Sequence, residues 1–330
     1  MATPYSGSSF RPHWGGAASD EDIHLELYDR DVQTQFMYDS IFRRFTSFKS
    51  AQNQSNTWRG DRLGGVSVKG RKYGEDLVSQ TIRNDKFVVV VDTVSYVRVP
   101  VDFQDDWTAP DFRAEKSKII GTEHAKAFDQ AHLIQLMKSA DFVAPAHLAG
   151  AFNDGILEAI TLGGTDLEAD ADVLVQAHAR ILATLIKRDK GTSGLVTLIA
   201  PDWFNILLNH KKLMNVEFTG GRGVNDFAQR RIAFLNGIPV VETPRFPTSG
   251  AVEAAHILGT DFNYTAEQSK RQMVVFDPSL ALVTVEAKPM TVDMWPDKEN
   301  FTNVMDSYHM YTVGQRRPDA VGVVSTETVV

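Results

Sequence analysis

Residues 110–140, PDFRAEKSKIIGTEHAKAFDQAHLIQLMKSA, decide how the rest of the chain is read. Pro110 and Asp111 open a run with no internal proline, which spans about 45 Å as one helix at 1.5 Å per residue. The first half is charged and the second, from Ala125 to Met137, is densely apolar, so one end is expected in solvent and the other in a core. Gly121 interrupts it at a cost of about 1 kcal/mol against Ala.

Upstream, residues 1–20 are rich in Gly, Ser and Pro and read as a tail that is mobile unless something docks it. Between residues 21 and 48, Leu25, Leu27, Val32, Phe36, Met37, Ile41, Phe42 and Phe45 recur at mostly three- to five-residue steps, the pattern of an amphipathic helical arm. Charge then separates sharply. Residues 1–42 carry two basic and seven acidic side chains, whereas residues 43–86 carry ten basic and four acidic ones. The basic stretch is glycine-rich and leads into a strand, FVVVVDTVSYVRVPVDF, at residues 87–103. Residues 46–108 are therefore expected to form a long protruding hairpin or loop. A polar two-stranded extension is marginal in water, so other parts of the protein or other subunits must hold it.

Downstream the texture is that of a mixed α/β unit. Asp170 or Asp172 is expected to cap the helix VLVQAHARILATLIKRDKG, LVTLIA at residues 195–200 reads as a buried strand, and Pro201–Asp202 open WFNILLNHKKL as a helix. RRIAFLNGIPVVETPRF reads as strand, Asn236–Gly237 turn, strand. The last sixty residues are rich in strands.

Composition removes many functions. The 330 residues include 43% hydrophobic and 23% charged side chains, globular averages that suit about two compact units. The formal charge of −8 repels nucleic acid overall, so contact with a polyanion must be local. Without cysteine there are no disulfides, thiolate metal sites or cysteine nucleophiles. No signal-peptide core and no apolar run of membrane-spanning length is visible, so export and membrane insertion are not expected. The Walker phosphate cradle, the Gly-x-Ser-x-Gly elbow, the dinucleotide fingerprint and His-Glu-x-x-His are all absent, so no catalytic, cofactor-binding or metal-binding residue is assigned.

Weaker signals have plainer readings. His124 and His132 lie eight apart on one helix face and read as solvated or interfacial residues rather than metal ligands. Asp105, Asp106 and Asp111 read as acids favouring a helix N-terminus rather than a cation site, and Gly220–Gly223 as a flexible loop rather than a phosphate cradle. Trp58 and Tyr73 interleave with Arg59, Arg62, Arg71 and Lys72, which suits nucleic-acid stacking, but pairing of the basic stretch with acidic surfaces of the same protein is the stronger reading.

In the order of its elements the chain resembles the major capsid proteins of tailed bacteriophages, in particular short-tailed ones. The segments that carry the likeness are Lys49-Ser50-Ala51-Gln52 at the start of the long loop, VDTVSYVRVPVDFQDDW, the helix from 110, IAFLNGIPVVETPRF and VGQRRPDAVGVVS. The resemblance implies an α+β fold of the Hong Kong 97 (HK97) type. It divides the chain into an N-terminal arm at 1–45, an extended loop at 46–108 that lies over a neighbour, the spine helix of a peripheral domain at 109–145, an axial domain at 146–269 and returning peripheral strands at 270–330. It further implies hexamers and pentamers in an icosahedral head around double-stranded DNA. A separate scaffolding protein, a portal and decoration proteins would be partners, and assembly would take place in the host bacterial cytoplasm. Some members crosslink a loop Lys to an Asn elsewhere; no such pair is matched here. Three alternatives stand beside this reading: an encapsulin-like cellular compartment, an α/β enzyme using neither metal nor thiol, and a nucleic-acid-binding module.

Overall fold

The computed structural model describes residues 32–36, 39–51, 55–104, 111–148, 150–190, 194–214 and 232–326. Most of the expected N-terminal arm, the Gly220–Gly223 loop, Asp105, Asp106 and the side chain of Asp111 lie outside them. In chain order come strands β1 (Ser47–Ser50), β2 (Thr57–Leu63), β3 (Asn84–Val90) and β4 (Ser95–Asp102), then helix α1 (Asp111–Lys138). They are followed by β5 (Ile156–Ile160), α2 (Leu167–Lys187), β6 (Val196–Ile199), α3 (Pro201–Leu207) and α4 (Lys211–Met214). The remaining strands are β7 (Phe234–Leu235), β8 (Ile238–Glu242), β9 (Arg271–Phe276), β10 (Leu282–Asp297), β11 (Thr302–Gln315) and β12 (Val321–Thr326).

Contacts divide the chain into a smaller unit of residues 1–43, 94–128 and 288–311 and a larger unit of residues 44–93, 129–287 and 312–330. Helix α1 and strands β10 and β11 contribute to both. α1 runs for 28 residues, as its sequence predicts, with every residue from Ala131 to Met137 buried and Glu115, Lys118 and Glu123 exposed.

In the smaller unit β4 runs antiparallel to β11, from Ser95↔His309 to Asp102↔Thr302. Val32, Val101, Ile120, Val292 and Met305 form its core, and the Phe36 ring meets that of Phe128 edge-on at 5.5 Å. Gly121 is explained here by close approach. A Cβ at that position would lie 2.7 Å from the Val32 carbonyl oxygen and 2.9 Å from Gln35 Cβ, so the helical turn at residues 32–36 rests directly on the α1 backbone.

The larger unit is built on a six-stranded mixed sheet in the order β5-β12-β9-β6-β8-β7. Its central strands β6 and β9 are buried at every residue, so their sequences show no apolar–polar alternation. The polar Arg271 and Gln272 at the start of β9 are buried with hydrogen-bond partners in the carbonyls of Met137 and Pro247. α2 lays Leu174, Ala177, Ile181 and Leu185, spaced three or four apart, into the same core as Trp203, Phe204 and Leu207 of α3. The Asn236–Gly237 turn joins β7 to β8 with φ of 49° and 81°, as an Asn-Gly hairpin requires.

Four expectations change. The strand expected over 87–103 is two strands in different sheets: the ladder closes where the Val91 amide donates to the Asn56 carbonyl, and β4 begins at Ser95 with a new partner. A continuous run of β-formers carries no mark of a change of partner. For the same reason the hairpin expected over 46–108 is narrower. Only β2 and β3 form it, while β1 pairs in parallel with β10 from Ser47↔Val283 to Ser50↔Glu286. Helix α2 is capped by Asp166, which accepts from the amides of Glu168 and Ala169, rather than by Asp170 or Asp172. Asp170 instead accepts from the Gly163 and Gly164 amides, both at 2.8 Å, and fixes the incoming loop. Finally, the helix expected through WFNILLNHKKL ends at Leu207 and resumes at Lys211, where the His210 ring accepts from the Leu213 amide.

Candidate functional site

The most exposed large apolar residues among the described ones are on the hairpin. β2 and β3 pair from Thr57↔Val90 to Leu63↔Asn84, and residues 64–83 form its tip. Val66, Val68, Tyr73, Leu77, Val78 and Ile82 are all exposed there, with Val68 and Tyr73 fully so. Local polar bonds shape the tip: Gln80 both accepts from the Ser67 amide and donates to its carbonyl, and Glu75 accepts from the Lys72 amide. No buried side chain lies anywhere in residues 64–83. Large exposed apolar groups concentrated on one protrusion mark an interaction surface.

The base is anchored differently. Side chains alternate along β2, so Trp58, Gly60 and Arg62 point one way and Arg59, Asp61 and Leu63 the other. Trp58 packs edge-on to Phe87 at 6.2 Å. The Arg62 guanidinium lies 4.6 Å from the centre of the Phe87 ring, 5.4 Å from Phe142 and 5.8 Å from Phe152, and donates to the carbonyls of Gln315 (2.8 Å) and Arg316 (3.3 Å). Burial lowers its pKa, partly offset by Asp85 and Asp319. Arg317 stacks on the Phe152 ring at 4.4 Å, so two guanidiniums and three phenyl rings join hairpin to body. Gly314 makes the close contact possible: a Cβ there would lie 2.6 Å from Val89 Cγ2 and 2.8 Å from Phe87 Cζ.

This geometry takes apart the basic-aromatic patch suggested by the sequence. Arg62 and Trp58 are engaged at the base, Arg59 pairs with Asp61 at 3.4 Å, Arg71 donates to the Glu75 carbonyl, and Tyr73 stands alone at the tip. The six side chains do not form one surface. The alternation of β2 against the apolar face of β3 was the available signal for the inward turn of Arg62.

His124 and His132 are buried rather than solvated or interfacial. His124 Nε2 bonds Ser307 Oγ at 2.8 Å and His132 Nε2 bonds Thr284 Oγ1 at 2.7 Å. His178 repeats the arrangement with Thr197 at 2.9 Å and receives a bond from the Asn236 amide. Burial brings both His124 and His178 down to about 4, with His309 adding to the effect at His124, so these are neutral rings pinning helix to strand. No group of three or more potential metal ligands occurs among the described residues, and no described helix is long and apolar enough to cross a membrane.

Comparison with known proteins places this architecture. Over 100% of both chains the protein is 42% identical to a chain of the bacteriophage PhiM1 mature capsid, with a TM-score of 0.79. A capsid chain of the cyanophage P-SCSP1u shares the fold at 16% identity and a TM-score of 0.73, with 88% of each chain covered. The virus-like particle from Pyrococcus furiosus shares it at 9% identity and a TM-score of 0.55, over 92% of this chain and 99% of that one. No family model and no curated protein matches the chain. The shared fold is the α+β fold of HK97-type shells, so this is a shell-forming protein located in a virion and acting as a homo-oligomer. The chain belongs to the bacteriophage major capsid proteins.

Proposed function

We propose that this major capsid protein forms hexamers and pentamers that close an icosahedral head around double-stranded DNA, and that the hairpin is the arm by which each copy grips the next. The observation that carries this is the exposed apolar tip, which no described residue of the chain covers. Each patch then meets a different patch on a neighbour, the heterologous contact that closes a shell when curvature permits. In the domain roles, residues 1–45 serve as the N-terminal arm, 46–108 as the extended loop, 109–145 as the spine helix, 146–269 as the axial domain and 270–330 as returning peripheral strands. A separate scaffolding protein, a portal and decoration proteins are the remaining partners, assembly takes place in the bacterial cytoplasm, and contact with DNA is weak and non-specific. The work of the chain is structural rather than catalytic. Sedimentation and negative-stain microscopy of Val68→Ser/Leu77→Ser/Val78→Ser test the central point. Folded subunits that no longer assemble are expected; shells formed at the unaltered yield refute it.

A further inference from the structure

Asn236–Gly237 is the only Asn-Gly pair in the chain. Such a pair is chemically labile wherever it is free to move. The glycine backbone nitrogen, unhindered by a Cβ on its own residue, attacks the carbonyl carbon of the asparagine side chain. A new C–N bond closes a five-membered succinimide, the bond from that carbon to the side-chain nitrogen breaks, and the nitrogen leaves as ammonia after gaining a proton. Water then opens the ring to aspartate or to isoaspartate, which carries an extra methylene in the main chain. Water is the only co-reactant.

Both residues are exposed here, and a Cβ on Gly237 would meet nothing within 4 Å, so neither burial nor crowding shields the pair. The turn is instead tethered. Asn236 Nδ2 donates to His178 Nδ1 at 3.0 Å across 58 positions of sequence. His178 is fully buried on α2, and its Nε2 bonds Thr197 Oγ1 of β6 at 2.9 Å. Because Nδ1 accepts, the ring proton sits on Nε2 and is donated to Thr197. The ring is neutral, since burial brings it down to about 4.

This arrangement opposes the reaction twice. Attack requires the side chain to swing over the Gly237 nitrogen, with the reacting atoms about 3–3.5 Å apart, whereas the tether holds the amide toward α2. The departing nitrogen requires a proton, and the atom it touches is a bare Nδ1 with none to give. We propose that His178 guards this pair: by anchoring the Asn236 amide from α2 it keeps the exposed turn from deamidating, and Asn236 becomes a modification site once the contact is lost. The Leu235↔Ile238 and Phe234↔Pro239 pairs leave a two-residue loop, so an added methylene would disturb the register of the hairpin whose β8 joins β6. The inference stands apart from the assembly reading, since every residue in it belongs to the larger unit.

Trypsin would release the turn as Ile232–Arg245, in which mass spectrometry reads the exchange of amide for acid and chromatography separates isoaspartate. The full chain would be aged at neutral pH, folded and in guanidinium. Conversion at least about tenfold slower in the folded chain is expected, and equal rates overturn the proposal. His178→Leu should raise the folded rate about fivefold or more, the worth of one neutral hydrogen bond. His178→Gln, which offers a carbonyl acceptor, should recover part of the protection. Thr197→Val removes the other partner of the ring but spares the tether, and should stay within about twofold of the parent. His178→Leu ageing at the parent rate, or Thr197→Val ageing as fast as His178→Leu, would assign the protection to general packing and overturn the proposal. Where the histidine variants do not fold, hydrogen exchange of the Asn236 side-chain amide in the parent decides. Exchange at least about tenfold slower than in the denatured chain is expected, and equal exchange refutes the tether.

Discussion

Replacing Arg62 with Ala should undock the hairpin without unfolding the protein. The side chain contributes one close cation–π contact, at 4.6 Å, and one good hydrogen bond, at 2.8 Å, from a charged donor. Partly desolvated cation–π contacts are worth about 1–2 kcal/mol and hydrogen bonds to charged groups about 1.5–3 kcal/mol. Desolvation of the guanidinium opposes both, so a net loss of about 2 kcal/mol is reasonable, roughly a thirtyfold change in the ratio of docked to undocked hairpin. The apolar core of the larger unit does not include Arg62, so the main thermal transition should move by only a few degrees. Hydrogen exchange reads the difference directly. Protection of the Gly64 and Val91 amides, which close the two ends of the ladder by donating to Arg83 and Asn56, should fall ten- to thirtyfold while that of β6 and β9 stays unchanged. Arg62→Lys keeps the charge but not the planar stack or the fork, and should recover less than half of the loss. Exchange at Gly64 and Val91 within twofold of the parent in Arg62→Ala would refute the claim that the guanidinium holds the hairpin.

Gly121→Ala, a substitution that stabilises most helices, should here lower stability by about 1–3 kcal/mol, because the new methyl meets the Val32 carbonyl at 2.7 Å; a raised melting temperature would contradict this contact. His124 and His178 make stability depend on pH. Their folded pKa values of about 4 lie below the ordinary 6.5, so the unfolded chain binds protons that the folded chain refuses, and stability present above pH 6.5 declines as pH falls toward 4. Each contributes on the order of 3 kcal/mol across that window, and urea midpoints of subunits that stay level between pH 7 and 4.5 would count against neutral buried rings. Shells boiled in detergent should release single chains; a ladder of covalent oligomers would reveal a crosslink that the sequence does not suggest.

The parts of the fold legible in the sequence are those whose signals are local. α1 follows from its proline-free run and its charge gradient, and the β7–β8 hairpin from Asn236–Gly237. β6 follows from the short, mostly apolar stretch LVTLIA. What escaped was any feature defined by a partner distant in sequence. The chain crosses from β3 to β4 through valine-rich sequence, and only their neighbours, β2 and β11, show that the two belong to different sheets. The cap of α2 was placed at Asp170 or Asp172 and not at Asp166 because an Asp is an equally good acceptor at each position; the choice fell to the loop, whose Gly163 and Gly164 amides claim Asp170. At the site the hairpin was legible as a protrusion, whereas Arg62 was misplaced on a basic surface. Its phenyl partners Phe142 and Phe152 lie 80 and 90 positions away.

The contrast between base and tip bears on how a shell closes. Six exposed apolar side chains at the tip hold on the order of 10 kcal/mol of burial, at about 1.5–3 kcal/mol each, but docking must first overcome lost translational and rotational freedom of similar size. In the proposed assembly one hairpin on one neighbour would therefore be a weak contact that forms and breaks, letting misplaced copies leave. Once a copy is gripped by one neighbour and grips another, later contacts form at high effective concentration and add almost in full. A base fixed by Arg62 serves this directly: it limits the directions in which the tip can point, so less freedom is lost on docking. It follows that Arg62→Ala should slow assembly and raise the critical concentration even though no residue of the tip has changed. A variant with a loosened base but an unaltered critical concentration would mean that the hairpin's aim is set by the neighbour rather than by its own anchor.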